Sequence, residues 1–86
     1  MRLLLCEDER AFSDALCAIL EHNNYTVDAV YDGEDAYAYG LSANYDGILL
    51  DIMMPKADGL TVLQKLRAVG VQTPVLLLTA KSEVED

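Results

Sequence analysis

Hydrophobic and polar positions along the chain divide it into short strand-like and longer helix-like segments. Four segments are rich in leucine or in β-branched and aromatic residues, which is typical of strands in a buried sheet. These predicted strands are Leu3–Cys6, Tyr25–Val30, Gly47–Asp51 and Val75–Leu78. Each is too short for a buried helix, and turn-forming residues stand between them.

The stretches between the strands carry apolar residues at helical spacing. They predict helices over Glu9–His22, Glu34–Leu41 and Gly59–Val69. Asp32 and Asp58 precede the second and third of these helices, where an aspartate can accept hydrogen bonds from the first free N–H groups. The pattern therefore alternates strictly between strand and helix.

The same spacing predicts which residues the longer helices bury. In the first helix the expected apolar face comprises Phe12, Leu16, Ile19 and Leu20. In the third helix it comprises Leu60, Val62, Leu63 and Leu66. Near the end of the chain, Ser82 and Glu85 form a capping box, which predicts the start of another helix.

Strand–helix alternation of this kind indicates an α/β fold with a parallel sheet, right-handed crossovers and helices on both faces. Three of the four strands are followed or ended by polar residues: Glu7 and Asp8, Asp51, and Thr79. If the first and third strands are neighbours, their carboxyl ends meet at a topological switch point, where open α/β sheets bind ligands. This convergence is the main functional signal in the pattern.

Composition narrows the possible partners. The net charge is −9, from 15 acidic and 6 basic residues in 86, which argues against nucleic-acid binding because phosphate contacts need clustered Lys and Arg. No apolar run approaches the roughly 18 residues of a membrane span. Cys6 and Cys17 fall in apolar stretches and are expected to be buried free thiols, which favours a cytoplasmic protein.

Two or three carboxylates at one sheet edge repel one another, by about 4 kcal/mol for a pair roughly 4 Å apart at an effective dielectric constant of about 20. Such a cluster must hold protons or a cation, and oxygen ligands of this kind favour Mg²⁺. An aspartate beside Mg²⁺ can act as a nucleophile towards a phosphoryl group, and Thr79 could donate a hydrogen bond to it. The alternatives are that Asp51 merely caps the following loop and that Thr79 merely ends its strand.

The chain resembles the receiver domain of two-component response regulators. The matching elements, in order, are Glu7-Asp8, the Asp51–Pro55 sequence Asp-Ile-Met-Met-Pro, Asp58-Gly59, and the Pro74–Ala80 sequence Pro-Val-Leu-Leu-Leu-Thr-Ala. The elements match in order and spacing, and the resemblance covers the whole chain. The resemblance implies a flavodoxin-like, doubly wound sheet of order 2-1-3-4-5. It also implies a phosphoacceptor domain, not an enzyme in the usual sense, that receives its phosphoryl group from a sensor histidine kinase.

Residue by residue, the resemblance implies that Asp51 accepts the phosphoryl group. Asp8 and Asp51 would bind Mg²⁺ directly, together with the backbone carbonyl of Met53, and Glu7 would bind it through a water molecule. Thr79 would be the switch hydroxyl that moves onto the phosphoryl oxygen. The Met-Met-Pro and Leu-Leu-Thr-Ala sequences are most similar to those of winged-helix transcription regulators.

The chain departs from the family pattern after the fourth strand. The fifth strand with its lysine and the last helices have no counterpart, and Lys56, Lys65 and Lys81 stand at the wrong positions to replace that lysine. Residues 1–86 are therefore expected to form an N-terminal fragment of a receiver domain with strand order 2-1-3-4. Its fourth strand would be an uncovered edge, which predicts self-association.

Rival interpretations remain. The more serious one is a non-catalytic receiver remnant that acts as a protein-binding module. A haloacid-dehalogenase-type phosphatase would need a second aspartate two residues after Asp51, where Met53 stands. A nucleotide-binding domain would need a glycine-rich loop after the first strand, and the sequence has none there.

Overall fold

The computed structural model describes residues 1–42 and 44–78 of the chain. Its elements in chain order are β1 (Arg2–Cys6), α1 (Arg10–His22), β2 (Thr26–Val30), α2 (Gly33–Gly40), β3 (Gly47–Asp51), α3 (Gly59–Ala68) and β4 (Val75–Leu78). All seven predicted elements are confirmed, with bounds that shift by no more than about one residue. Thr79, Lys81 and the Ser82–Glu85 capping box lie outside the described residues.

The four strands form one parallel sheet of order β2-β1-β3-β4, which confirms the predicted doubly wound arrangement. In its register Leu5 lies between Ala29 and Leu49, and Leu49 in turn pairs with Leu76. Because β1 and β3 are neighbours, the residues that follow them emerge side by side at the carboxyl edge of the sheet. The topology thus places the predicted site at the switch point.

One face of the sheet carries the main core, beneath α2 and α3. The side chains of Leu4 and Leu50 are fully buried here, and Val62 and Leu66 of α3 pack against the same cluster. Fully burying a leucine contributes on the order of 1.5–3 kcal/mol to folding. This continuous apolar layer is what fixes the position of β3, and hence of Asp51 at its end.

The opposite face is covered only in part by α1, which contacts β1 and β2. Along the row that crosses the sheet on this face, Leu5 is fully buried, Leu49 is half-buried and Leu76 is 61 % exposed. The exposure therefore grows with distance from α1. Among the described residues no helix covers the β4 end of this face.

The predicted apolar face of α1 is partly wrong. Phe12 is 40 % and Ile19 59 % exposed, whereas Ser13 is fully buried, and Leu16, Cys17 and Leu20 are half-buried. The helix turns Ser13, Leu16, Cys17 and Leu20 towards the sheet, because these four positions lie on one face. Leu16 and Leu20 are therefore placed as predicted, whereas Ser13 and Cys17 take the places expected for Phe12 and Ile19.

Leu60 is a second correction, since it is 46 % exposed while Val62 and Leu66 of the same helix are buried. Two positions that are two residues apart in a helix lie on nearly opposite faces, so burial of Val62 turns Leu60 outward.

The predicted burial of both free thiols is a third correction. Cys6 is buried, and this burial raises its pKa to about 12, but Cys17 is only half-buried.

The predicted caps are confirmed. The Asp32 side chain accepts a hydrogen bond from the Asp35 N–H at 2.9 Å, and Asp58 accepts one from the Thr61 N–H at 2.8 Å. Each bond satisfies an N–H that the helix leaves free.

Over residues 1–42 and 44–78, none of the helices has the length and apolar character needed to span a bilayer.

Candidate metal centre

Three carboxylates meet at the carboxyl edge of the sheet. One oxygen from each of Glu7, Asp8 and Asp51 can be chosen so that all three lie within 4.8 Å of one another. Glu7 and Asp8 follow β1 directly and Asp51 ends β3, so the pairing of these two strands brings the residues together. The structure thus assembles the three acids that the sequence singled out.

Glu7 is held in place by its backbone and by one side-chain oxygen. Its N–H donates to the Val30 carbonyl at 3.1 Å, and its Oε2 accepts from the Glu9 N–H at 2.9 Å. The residue is only 3 % exposed, and its Oε1 is buried without a hydrogen-bond partner among residues 1–42 and 44–78. Burial raises the pKa of Glu7, and the neighbouring Asp51 and Asp8 charges raise it further, while the Glu9 N–H opposes the shift.

Of the other two acids, Asp51 is buried, with 2 % of its surface exposed, whereas Asp8 is exposed. Among the described residues, the Asp51 side chain accepts one hydrogen bond, from the Met53 N–H to Oδ1 at 3.2 Å. The Ile52 N–H donates to the Leu78 carbonyl at 3.2 Å, which anchors the backbone beside Asp51. Oδ2 therefore has no donor in the described part of the chain.

The other predicted site residues are placed less completely. Met53 follows Asp51 closely, and its side chain is 64 % exposed, consistent with a role for its backbone alone. Thr79 lies outside the described residues, although Leu78 before it pairs with Asp51 in the sheet. Lys56 points elsewhere, with its Nζ 3.9 Å from both Asp32 and Glu34.

The donor set fits a hard divalent cation. Three carboxylates converge, and one of them carries a buried oxygen that none of the described residues contacts with a hydrogen bond. A buried acceptor of this kind is costly unless something satisfies it. Mg²⁺ prefers oxygen ligands and is usually bound through one or two carboxylates, with water and phosphate oxygens completing the shell. Glu7, Asp8 and Asp51 are thus suited to hold Mg²⁺ at this edge.

The family model described as "Response regulator receiver domain" matches residues 3–86. The chain belongs to the response regulator receiver family. Among curated relatives, the transcriptional regulatory protein DltR of Streptococcus agalactiae serotype III (strain NEM316) is 48 % identical over 86 residues, covering all of this chain and 38 % of DltR. ResD of Bacillus subtilis (strain 168) is 44 % identical over 82 residues, covering 95 % of this chain and 34 % of ResD.

Solved receiver structures agree with the fold. The receiver domain of the Francisella response regulator 1452 has a TM-score of 0.89 at 30 % identity, covering 95 % of this chain and 68 % of that one. TrrA of Thermotoga maritima, solved in complex with Mg²⁺-BeF, has a TM-score of 0.87 at 36 % identity, and the match covers 94 % of this chain and 70 % of the TrrA chain. By contrast, this chain spans well under half the length of its curated relatives DltR and ResD.

Two glycines beside the site, Gly33 and Gly59, were not among the predicted site residues. A Cβ atom on Gly59 would lie 2.4 Å from the Asp51 carbonyl oxygen, and one on Gly33 would lie 2.4 Å from that of Ala57. Both positions need a residue without a side chain, because backbone meets backbone there. The Asp-Gly pairs at 32–33 and 58–59 were the available signal, but nothing in the spacing showed that both approach the same loop.

Proposed function

We propose that this receiver domain accepts a phosphoryl group on Asp51 from a sensor histidine kinase, with Mg²⁺ bound at the Glu7–Asp8–Asp51 cluster. The observation that carries this proposal is the convergence of three carboxylates at the ends of β1 and β3, where a buried Glu7 oxygen has no partner in the described part of the chain. A purely structural cluster would be expected to have donors for such an atom. Mg²⁺ with its bound water would supply the partner that the described residues do not.

In the proposed step, a free oxygen of the Asp51 carboxylate attacks the phosphorus of a phosphohistidine. A P–O bond to Asp51 forms while the P–N bond breaks, and the imidazole nitrogen keeps the bonding pair. The Met53 N–H, bonded to Oδ1, orients the carboxylate so that Oδ2 can face the donor. The Ile52–Leu78 hydrogen bond keeps the strand end in place during the reaction.

When bound, Mg²⁺ would neutralise the negative charge shared by the carboxylates and the incoming phosphoryl oxygens. Asp8 and Asp51 would be direct ligands together with the Met53 carbonyl, and Glu7 would act through water, as the family resemblance implies. Thr79, which follows β4, would donate its hydroxyl to the phosphoryl oxygen in the switched state. In this proposal the domain takes part in its own phosphorylation and dephosphorylation but is not otherwise an enzyme.

We further propose that phosphorylation controls a DNA-binding output domain in the full-length protein, and that this segment itself makes no nucleic-acid contact. DltR and ResD, which this chain matches over about a third of their length, are both named as transcriptional regulatory proteins. Residues 1–86 would then be the N-terminal part of the receiver. The two free thiols support placing it in a reducing cytoplasm.

Intact-mass measurement after incubation with Mg²⁺ and a small phosphodonor such as acetyl phosphate tests the proposal. The expected result is one phosphoryl group on the parent chain and none on Asp51→Asn, which keeps the size and the Oδ1 acceptor but not the nucleophile. Omitting Mg²⁺ should abolish the adduct. An adduct on both proteins, or on neither, would contradict phosphorylation of Asp51 by this chain.

The competing function is a non-catalytic receiver remnant that binds a partner without accepting phosphate. It predicts no adduct under any condition, even when Mg²⁺ binds. Repeating the mass measurement on a chain extended through a fifth strand with its lysine separates the two ideas. An adduct that appears only in the extended chain would mean that the chemistry belongs to the complete domain.

We also propose that the 86-residue chain self-associates through β4. Among the described strands, β4 is hydrogen-bonded only to β3, and Leu76 on it is 61 % exposed. An open apolar edge of this kind is a template for pairing with a second copy. Sedimentation velocity should show a dimer that Leu76→Lys weakens and Leu60→Lys, at an exposed site on α3, does not. A monodisperse monomer in the parent would refute the proposal.

A further inference from the structure

The loop of residues 52–58, called here the 52–58 loop, follows Asp51 and carries Met53. Its base is closed by the Gly59 N–H, which donates to the Ile52 carbonyl at 2.7 Å. Near its start the Met53 N–H donates to Asp51 Oδ1 at 3.2 Å. The conformation of this loop therefore decides where the Met53 backbone points relative to the acidic cluster.

The middle of the 52–58 loop rests on the first turn of α2. The Gly33 N–H donates to the Pro55 carbonyl at 3.0 Å. A Cβ atom on Gly33 would lie 2.4 Å from the Ala57 carbonyl oxygen and 2.6 Å from the Ala57 Cβ, closer than real Cβ contacts come. Because the neighbouring atoms belong to the backbone or to a short side chain, they cannot turn away, and the loop itself would have to move.

Lys56, at the centre of the loop, has a left-handed backbone with φ +70°. This conformation is unfavourable for β-branched residues and easy for glycine. The Lys56 Nζ lies 3.9 Å from Asp32 Oδ2 and 3.9 Å from Glu34 Oε1, and these two acids precede and follow Gly33 in the sequence. These ion pairs are long and exposed and contribute little, so the backbone conformation is the main contribution of Lys56 to the contact.

We infer that Gly33 is a positioning residue for the metal centre, acting through the 52–58 loop on the Met53 carbonyl. The inference rests on the proposed function, since it needs Mg²⁺ at the acidic cluster. Groups that orient metal ligands typically change metal affinity by about 10- to 100-fold when they are altered. Helix α2, which bears none of the acids, would thus set how well the site binds its metal.

Calorimetric titration with Mg²⁺ tests this inference, using Gly33→Ala and Gly40→Ala as a matched pair in the same helix. At Gly40 the three atoms nearest to a new Cβ all belong to the Leu66 side chain, the closest at 3.1 Å, and none belongs to the backbone. We expect the Mg²⁺ dissociation constant to rise about 10-fold or more in Gly33→Ala and to change less than about 2-fold in Gly40→Ala. The amide NMR signal of Met53 in the metal-free protein should shift only in Gly33→Ala.

The titration of the parent distinguishes failure of the proposed function from failure of the proposed role of Gly33. If the parent binds no Mg²⁺, the proposed function fails, whereas if the parent and Gly33→Ala bind equally, only the role of Gly33 fails. Should Gly33→Ala not fold, Lys56→Val and Lys56→Gly test the same loop. Weaker Mg²⁺ binding in Lys56→Val alone is expected, because only valine opposes the left-handed backbone, and equal binding by both would overturn the inference.

Discussion

Carboxylates near the two ends of the sheet have opposite surroundings. Asp28 lies in the middle of β2, and its Oδ2 accepts hydrogen bonds from two residues near the amino end of the sheet, from the Tyr45 hydroxyl at 2.6 Å and from Arg2 at 2.8 Å. These partners, Tyr45 first, lower the pKa of Asp28. At the carboxyl end, Glu7 lies beside Asp8 and Asp51, and one of its oxygens has no partner among the described residues. The pKa of Glu7 is raised, mainly by burial.

The two groups of acids differ in whether neighbouring groups compensate their charge. Asp28 has a cation and a hydroxyl donor beside it, so its charge should stabilise the sheet. The carboxylates of the acidic cluster repel one another, so holding them together without a cation should cost folding free energy. Substitutions at the two ends should therefore change the stability of the protein in opposite directions.

The largest expected effect is the response to Mg²⁺. At a free concentration 100 times the dissociation constant, the metal should raise the free energy of unfolding by about 2.7 kcal/mol. Asp8→Asn, at an exposed position, should remove most of this gain without disturbing the core. Urea unfolding followed by circular dichroism measures both proteins, and an equal gain in the two would show that the cation binds elsewhere.

Removing Asp28 should have the next largest effect. Asp28→Ala leaves the mostly buried Tyr45 without its hydroxyl partner, and we expect a loss of about 1–3 kcal/mol in unfolding free energy. Tyr45→Phe provides the matched variant, and the double substitution should cost less than the sum of the single ones. Strict additivity in urea unfolding would mean that the hydrogen bond does not stabilise the sheet.

Glu7→Gln should act in the opposite direction. The glutamine keeps an acceptor for the Glu9 N–H and offers the Asp51 carboxylate an N–H donor in place of a like charge. Without Mg²⁺ we expect the free energy of unfolding to rise by about 1 kcal/mol at pH 7. A destabilised Glu7→Gln protein in chelator-treated buffer would show that the cluster is already satisfied in the parent.

The smallest effect concerns acid stability. Because the folded-state pKa of Asp28 is lowered, its contribution is complete above its unfolded pKa of about 3.9 and is lost as the pH falls below that value. Between about pH 5 and about pH 2, the free energy of unfolding should therefore fall by up to about 1 kcal/mol more in the parent than in Asp28→Asn. The difference is small because Asp28 is partly exposed and solvent screens its ion pair. Parallel losses in urea unfolding across this range would argue against the ion pair.

The pattern of the sequence was sufficient to predict the order of elements and the acids of the candidate site, whereas the strand order was predicted from the family resemblance. Periodicity and caps determine these features locally: Asp32 and Asp58 begin their helices as expected, and neighbouring β1 and β3 bring Glu7 and Asp51 together. The fold then follows from the alternation of strand and helix.

Helix orientation and backbone proximity could not be predicted in this way. Phe12 and Ile19 are exposed, while Ser13 is buried, because the rotation of α1 depends on how its smaller residues fit the sheet and not on hydrophobicity alone. The approach of Gly33 to the 52–58 loop joins residues that are far apart in sequence. Neither feature leaves a periodic signal.

The most direct test of the opposition between the two ends is the free energy of unfolding of the parent and of Asp51→Asn, each with chelator and with saturating Mg²⁺. We predict that the two proteins exchange rank: Asp51→Asn is the more stable without metal, because one buried charge is gone, and the parent is the more stable with it. A parent that is more stable in both conditions would contradict the claim that the cluster is unsatisfied until it binds a cation.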